Sequence, residues 1–191
     1  MTYFCHPTSI IDSGAIIGDD TSIWLYSHIC SGTKIGKKCN IGQSVFIDNN
    51  TNIGDHCKIQ NNVNVYYGVT LEDYVFCGPS MTFTNVKIPR CLYPRDKEGP
   101  YYLPTHVSYG ASLGAHSVVV CGIKIGRHAM IGSGSVVTKD VPDYALMVGN
   151  PARQIGWVCE CGHRLNDRFI CPDCGKVYNL NNDGVLEAKS E

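Results

Sequence analysis

The chain has little net charge of either sign and no long apolar run. Its 191 residues carry a formal net charge of −1, and Lys and Arg form no stripe, which argues against a nucleic-acid partner. No segment offers the roughly 20 apolar residues of a membrane-spanning helix, and the opening MTYFCHPTSI lacks the charged and apolar regions of a signal peptide. From the missing signal peptide and membrane span we expect a cytoplasmic protein with no membrane partner. Apolar stripes at the helical period of 3.6 are also missing before residue 180, which argues against a helical fold.

What the sequence does contain is an apolar residue at every sixth position. Thirteen successive hexads, the first at Ile11 and the last at Phe83, each begin with an apolar residue, and the pattern returns from Val107 to Val137. Fifth positions are nearly always small or β-branched, and glycine often takes the second position. We expect these glycines to form tight corners, because glycine adopts backbone angles that other residues avoid.

A period of six fits neither a helix nor simple strand alternation. It fits short strands separated by corners, with three hexads closing one triangular coil of 18 residues and successive coils stacking at about 4.8 Å. The sequence therefore predicts an all-β protein built as a hexapeptide parallel β-helix. The spacing alone leaves the handedness of the coil open.

The repeat is interrupted over residues 85–106. Four of the nine prolines fall there, and because proline cannot join a parallel ladder, the segment must leave the coil as a loop. Long loops in compact domains are usually functional. Counting back by 18 from Asn85 reaches Tyr67 and then Asn49, which predicts a polar and aromatic column below the loop. Counting on by 18 from Ala111 reaches Ala129, and we expect these small residues to leave backbone groups open to a long ligand.

The eleven cysteines fall into two sets. Seven are scattered through the first 121 residues, and two of them, Cys39 and Cys57, are 18 positions apart; we expect buried thiols rather than a disulfide in a reducing compartment. The other four lie in CECGH and CPDCG. Their spacing predicts a closed structural zinc site in a small tail, with His163 as an alternative ligand. The four predicted ligands are Cys159, Cys161, Cys171 and Cys174. We place the β-helix domain at residues 1–156 and the tail at 157–191.

Several strings resemble one enzyme family. They are HPTSIID, KIQNNVNVYYGVTLEDYVFCGPSMTFTNVKIPR, GASLGAHSVVVCGIKIG and GSGSVVTKDVPDYALMVGNPARQIGW. Over about residues 4 to 158 the chain resembles hexapeptide-repeat nucleotide-sugar N-acetyltransferases, nearest to those acting on UDP-2-acetamido-3-amino-2,3-dideoxy-glucuronate. The resemblance implies left-handed coils, a homotrimer, acetyl-CoA bound between subunits, and products for surface polysaccharides. A dTDP-3-amino-3,6-dideoxyhexose is the alternative acceptor.

The resemblance also frames the chemistry. Many related acyltransferases carry a histidine base where this chain has Asn85, and an amide cannot take a proton. We therefore expect Asn85 to orient a neutral sugar amine, with an N–H near Gly110 and Ala111 stabilising the oxyanion. His116, directly after the loop, is the leading candidate if a base is needed. The resemblance further implies that Lys139 and Arg153 meet the nucleotide end of CoA.

Two functions of other classes stay open at this level. Some hexapeptide β-helix proteins are zinc carbonic anhydrases, but the histidines here do not show the HxxxxH spacing of those sites. A non-catalytic scaffold whose zinc tail binds a partner is the other alternative. Binding of acetyl-CoA distinguishes an acetyltransferase from both.

Overall fold

The computed structural model describes residues 2–181 and 186–188, which form 24 short strands, numbered here in chain order. Three parallel sheets form the faces of a coil, since consecutive strands go to successive sheets. The all-β parallel β-helix predicted from the hexads is confirmed, and its handedness stays a prediction. Within these residues there is no helix that is long and apolar enough to cross a membrane.

The strands of each sheet follow in their spatial order. The first sheet contains β1 (Phe4–Cys5), β4 (Ser22–Ile23), β7 (Asn40–Ile41), β10 (Lys58–Ile59), β13 (Phe76–Cys77), β16 (Ser112–Leu113), β19 (Met130–Ile131), β21 (Ala145–Val148) and β22 (Arg153–Trp157). The second contains β2 (Ile10–Ile11), β5 (His28–Ile29), β8 (Phe46–Ile47), β11 (Asn64–Val65), β14 (Thr82–Phe83), β17 (Val118–Val119) and β20 (Val136–Val137). The third contains β18 (Lys124–Ile125), β15 (Thr105–Val107), β12 (Val69–Leu71), β9 (Asn52–Ile53), β6 (Lys34–Ile35) and β3 (Ile16–Ile17). A separate two-stranded sheet pairs β23 (Tyr178–Leu180) with β24 (Leu186–Ala188).

Strand pairing follows the predicted coil length. Phe4 pairs with Ser22, 18 positions later, whereas Phe76 pairs with Ser112, 36 positions later, because the chain between β14 and β15 leaves the ladder. Residues 84–104 of that segment hold no strand, only a bridge between Val86 and Tyr102. The predicted end of the interruption at residue 106 is two residues late, since Thr105 already pairs with Val69 in the third sheet.

The coil interior is filled as the hexads predict. Residues that lead the hexads from Ile23 to Phe83 are at most 4% exposed. Buried hydroxyls at fifth positions donate to the carbonyls of the next coil, as Thr21 does to Gly36 and Ser27 to Gly42, both at 2.8 Å. These bonds offset the cost of placing a hydroxyl inside the coil. Cys39 and Cys57 are buried unpaired thiols, as expected.

The predicted reason for the second-position glycines is wrong. The left-handed corner lies at the fourth position of each hexad, where non-glycine residues such as Lys38 and His56 adopt φ of 55° and 58°. A second-position glycine is needed because two coils approach closely there. A Cβ placed on Gly54 lies 2.7 Å from the Asp73 amide nitrogen and 2.8 Å from the Glu72 carbonyl carbon, closer than real side chains come.

The coil ends after β21, where the chain reverses its direction. β22 runs antiparallel to β21, and Trp157 at its end pairs with Ala145. Beyond it, Cys159, Leu165, Cys171, Tyr178 and Leu186 form a second small core. The domain boundary at residue 156 stays a prediction, and β22 crosses it by one residue.

Candidate active site

A corner column runs up to the point where the chain leaves the ladder. We use this name for Ser31, Asn49, Tyr67 and Asn85, each of which lies two positions after a strand of the second sheet. The strands β5, β8, β11 and β14 pair in that order, so the four residues lie on successive coils. Ser31 and Asn49 are exposed, and Tyr67 and Asn85 are partly buried. The register thus brings together the three predicted substrate residues Asn49, Tyr67 and Asn85.

The loop of residues 84–104 returns beside Asn85. The Leu103 amide donates to the Asn85 carbonyl at 3.2 Å, and the Lys87 amide donates to the Tyr101 carbonyl at 2.9 Å. Within the loop, the Arg95 guanidinium carbon lies 4.1 Å from the centre of the Tyr101 ring. The two arms of the loop are therefore tied together at their base.

Two loop side chains reach the ring of Tyr67. Tyr102 meets it edge-on with 6.3 Å between ring centres, and the Lys97 ammonium lies 5.2 Å from its centre. The upper end of the corner column therefore has a loop wall that carries a hydroxyl and a cation.

Acidic residues line the lower end of the corner column. Asp48 accepts the Asn49 amide at 2.8 Å with one carboxylate oxygen and the Tyr67 amide at 3.3 Å with the other, which fixes the backbone of the column. Burial raises the pKa of the Cys30 thiol; the Asp48 and Asp12 carboxylates add to this rise, and Lys97 opposes it. The column thus has acidic side chains below and the Lys97 cation above.

The structure pairs a different histidine from the one predicted. His116 is exposed at a left-handed corner with φ of 56°, and its amide donates to the Pro79 carbonyl at 2.9 Å. His106 instead contacts the Glu72 carboxylate at 2.6 Å through Nε2. Sequence reasoning missed this pair because the separation of 34 residues includes the loop, whose length hides the register.

The carboxylate of Glu72 is held from two sides. Its second oxygen accepts the Tyr109 amide at 2.8 Å. Burial opposes ionisation of Glu72, but the hydrogen bonds from His106 and the Tyr109 amide prevail, so its pKa lies below the ordinary value. His106 also lines an open cavity of about 380 Å³ on the third sheet, together with Lys124 and Asp140.

The predicted backbone donors are already engaged. The Gly110 amide donates to the Asp73 carbonyl at 3.0 Å and the Ala111 amide to the Ser108 carbonyl at 3.2 Å, because both belong to the turns that close the coil. The side chains of Ala111 and Ala129 are fully buried inside the coil, and their carbonyls accept amides of neighbouring strands. None of these backbone groups is open to a ligand in this arrangement.

The two predicted cations lie at the last coils. Lys139 is exposed two positions after β20, and Arg153 is exposed at the start of β22. The neighbouring Ala152 amide donates to the Val136 carbonyl of β20 at 2.8 Å. Both cations therefore lie near β20, which is four coils from β8, the strand that precedes Asn49.

The four tail cysteines converge. One sulfur from each of Cys159, Cys161, Cys171 and Cys174 lies within 4.8 Å of the other three. The Tyr178 hydroxyl donates to the Cys159 sulfur at 3.1 Å, and His163 Nδ1 lies 3.6 Å from the Cys161 sulfur. Four converging thiols fit the tetrahedral sulfur set of structural zinc. In the described ranges, no group of three or more potential metal ligands contains more than one histidine, unlike the three-histidine carbonic anhydrase site.

Comparison with known proteins agrees with this architecture. The family profile "Hexapeptide repeat of succinyl-transferase" matches residues 32–67 and 110–139. The chain is 43% identical over 188 residues to dTDP-3-amino-3,6-dideoxy-alpha-D-galactopyranose 3-N-acetyltransferase of Aneurinibacillus thermoaerophilus, covering 97% of this chain and 94% of that protein. The UDP-glucuronate subgroup expected from the sequence strings is therefore not the one that this relative represents.

Solved structures share the coil. A hexapeptide-repeat acetyltransferase of Vibrio cholerae, complexed with acetyl-CoA, is 26% identical with a TM-score of 0.56, over 66% of this chain and 70% of that one. The UDP-N-acetylglucosamine acyltransferase of Bacteroides fragilis has a TM-score of 0.68 at 16% identity, over 82% and 61%, which is a likeness of fold alone. With this fold, and with a relative similar along nearly its whole length, the chain belongs to the hexapeptide-repeat nucleotide-sugar N-acetyltransferases.

Proposed function

We propose that this chain transfers the acetyl group of acetyl-CoA to the 3-amino group of a dTDP-linked 3-amino-3,6-dideoxyhexose. The observation that carries the proposal is the 43% identity to an enzyme named for that reaction, over 97% of the chain. The acetyl-CoA complex of the Vibrio cholerae relative supports the co-substrate. The product would then enter a surface polysaccharide, as the family resemblance implies.

The residues of the column suit direct attack by a neutral amine. The amine nitrogen forms a bond to the thioester carbonyl carbon, the carbon–sulfur bond breaks, and the departing CoA thiolate takes the proton that the amine loses. Asn85 accepts an amine N–H with its side-chain oxygen, which points the lone pair at the thioester, and positioning supplies much of the rate. His106 and His116 have no part in this step.

The cations of the last coils are proposed to hold CoA. Lys139 and Arg153 are exposed near β20 and offer charge to its phosphates. Lys139 lies two coils beyond Asn85 on the same side of the coil, because β14, β17 and β20 pair in that order, so CoA held there would run along this side towards Asn85. In a homotrimer, a neighbouring subunit would form the other wall of the groove.

We further propose that the four tail cysteines hold one structural zinc ion. Zinc bound by thiolates couples folding of the tail to the metal, and His163, whose Nδ1 lies 3.6 Å from the Cys161 sulfur, is the alternative to one of the four cysteines as a ligand. The ion is assigned no chemistry, because four sulfur ligands leave no open position. Metal analysis should find zinc bound by these residues, and a chain ending at residue 156 should still transfer acetyl groups. Eleven unpaired cysteines also suit a reducing cytoplasm.

A screen of sugars tests the proposed reaction. The full chain is incubated with acetyl-CoA and with dTDP- or UDP-linked 3-amino sugars, and release of free CoA thiol is followed. We expect the highest kcat/KM with a dTDP-3-amino-3,6-dideoxyhexose. Preference for the UDP-glucuronate derivative would overturn the assignment of the sugar, and thiol release with none of the amines would overturn the assignment of the reaction.

A further inference from the structure

A second group of potential metal ligands lies at the lower end of the corner column, far from the tail. Asp12 directly follows β2, His28 belongs to β5, and Cys30 directly follows β5. Ile11 pairs with Ile29, so Asp12 and Cys30 occupy equivalent positions on adjacent coils. Counting by 18 from Cys30 also reaches Asp48, the acidic residue of the next coil.

The backbone holds these three side chains in place. The Asp12 amide donates to the Ile29 carbonyl and the Cys30 amide to the Ile47 carbonyl, both at 2.9 Å. His28 is held through its strand, and the ring of Phe46 meets its imidazole edge-on with 5.9 Å between centres. The ligands therefore sit on rigid ladder positions rather than on a loop.

The donor atoms are close enough to share one ion. His28 Nε2 and Asp12 Oδ1 are 3.0 Å apart, and one donor atom from each of Asp12, His28 and Cys30 lies within 4.8 Å of the other two. The side chains of His28 and Asp12 are 40% and 39% exposed, so solvent reaches the group. Three protein ligands within reach of solvent are typical of metal sites that keep a position for water or another ligand.

From this geometry we propose that Asp12, His28 and Cys30 bind a divalent transition metal ion of the zinc type. Sulfur and imidazole donors select such ions over magnesium or calcium, which prefer oxygen ligands. The carboxylates of Asp12 and Asp48 add negative charge around the position, with Lys97 as the opposing cation. The fourth ligand is a water molecule or an anionic oxygen from solution.

The site is separate from both sites described above. Cys30 lies three coils below the level of Asn85, which is about 14 Å at the usual strand spacing of about 4.8 Å. The ion is therefore outside bonding reach of the reacting amine, and it takes no direct part in acetyl transfer. Metal binding, not activity, is the property to measure.

Cobalt titration of the full chain tests the proposal. The chain is first treated with one equivalent of zinc to fill the tail site, and Co²⁺ is then added while the thiolate-to-cobalt charge-transfer band in the near ultraviolet is recorded. We expect a further equivalent of Co²⁺ to bind and to give this band. Cys30→Ser should remove the band, and His28→Asn and Asp12→Asn should each weaken Co²⁺ binding more than about tenfold.

Cys91→Ser is the matched control, because Cys91 is an exposed thiol of the loop. This variant should bind Co²⁺ as the unaltered chain does. Thermal unfolding without metal shows whether each variant keeps its fold, and if one of the three ligand variants fails to fold, the other two decide. The proposal is wrong if the chain binds no Co²⁺ beyond the tail site, or if the folded ligand variants give the same band and affinity as the unaltered chain.

Discussion

Replacing Asn85 by alanine should slow acetyl transfer about 100-fold while leaving the affinity for acetyl-CoA nearly unchanged. The side chain lies at the top of the corner column, beside the returning loop, and the cations proposed for CoA lie two coils further along the axis, near β20. Losing one hydrogen bond made in the transition state costs about 2.7 to 4 kcal/mol. Because Asn85 is only partly buried, we expect the lower figure, which corresponds to about two decades in rate.

The assay is steady-state thiol release with the preferred amino sugar, combined with acetyl-CoA binding to each variant. His106→Asn and His116→Asn are the companion variants, since a general base contributes at least about 100-fold. We expect each to lose less than about tenfold. kcat/KM should rise with pH and level off above the pKa of the sugar amine, because only the neutral amine attacks and no protein group has to lose a proton. If either histidine variant were inactive while Asn85→Ala stayed active, direct attack without a base would be refuted.

Three further predictions follow from contacts elsewhere in the chain. Gly54→Ala should destabilise the protein by about 1–3 kcal/mol in urea unfolding, because the added methyl meets the backbone of Asp73; Gly134→Asn, at an open corner where φ is +70°, should change stability by less than about 1 kcal/mol. Tyr178→Phe should cost about 1–3 kcal/mol, because it removes the hydroxyl that accepts the Glu160 amide at 3.1 Å and bonds the Cys159 sulfur; a chelator should then remove zinc faster. Replacing Lys139 and Arg153 together by alanine should raise KM for acetyl-CoA at least about tenfold with kcat little changed, and an unchanged KM would remove these residues from the cofactor site.

The coil itself was predictable because every hexad repeats one physical requirement. A residue such as Ile41 or Ile59 points inward on each coil, and any shift of the frame would expose it. The place where the ladder breaks was predictable for the same reason, since Phe83 is the last residue to satisfy the pattern. The sequence shows that glycine recurs at the second position of the hexads, but the reason predicted for it was wrong. That the backbone of the next coil occupies the space of a side chain there is visible only when the coils are stacked.

Contacts across the loop were hidden for a different reason. Below the loop, counting by 18 places Asp12 beside Cys30, so the proximity of these two proposed metal ligands could have been predicted from the coil length alone. Above it, the pairing of Thr70 with His106 depends on how many residues the loop consumes, and nothing in its proline-rich composition sets that number. The contact of His106 with Glu72 therefore follows from where the chain rejoins the ladder. This histidine is paired with a carboxylate one coil away, as a general base often is, and the kinetics of the Asn85 and His106 variants test the base-free reaction against that alternative.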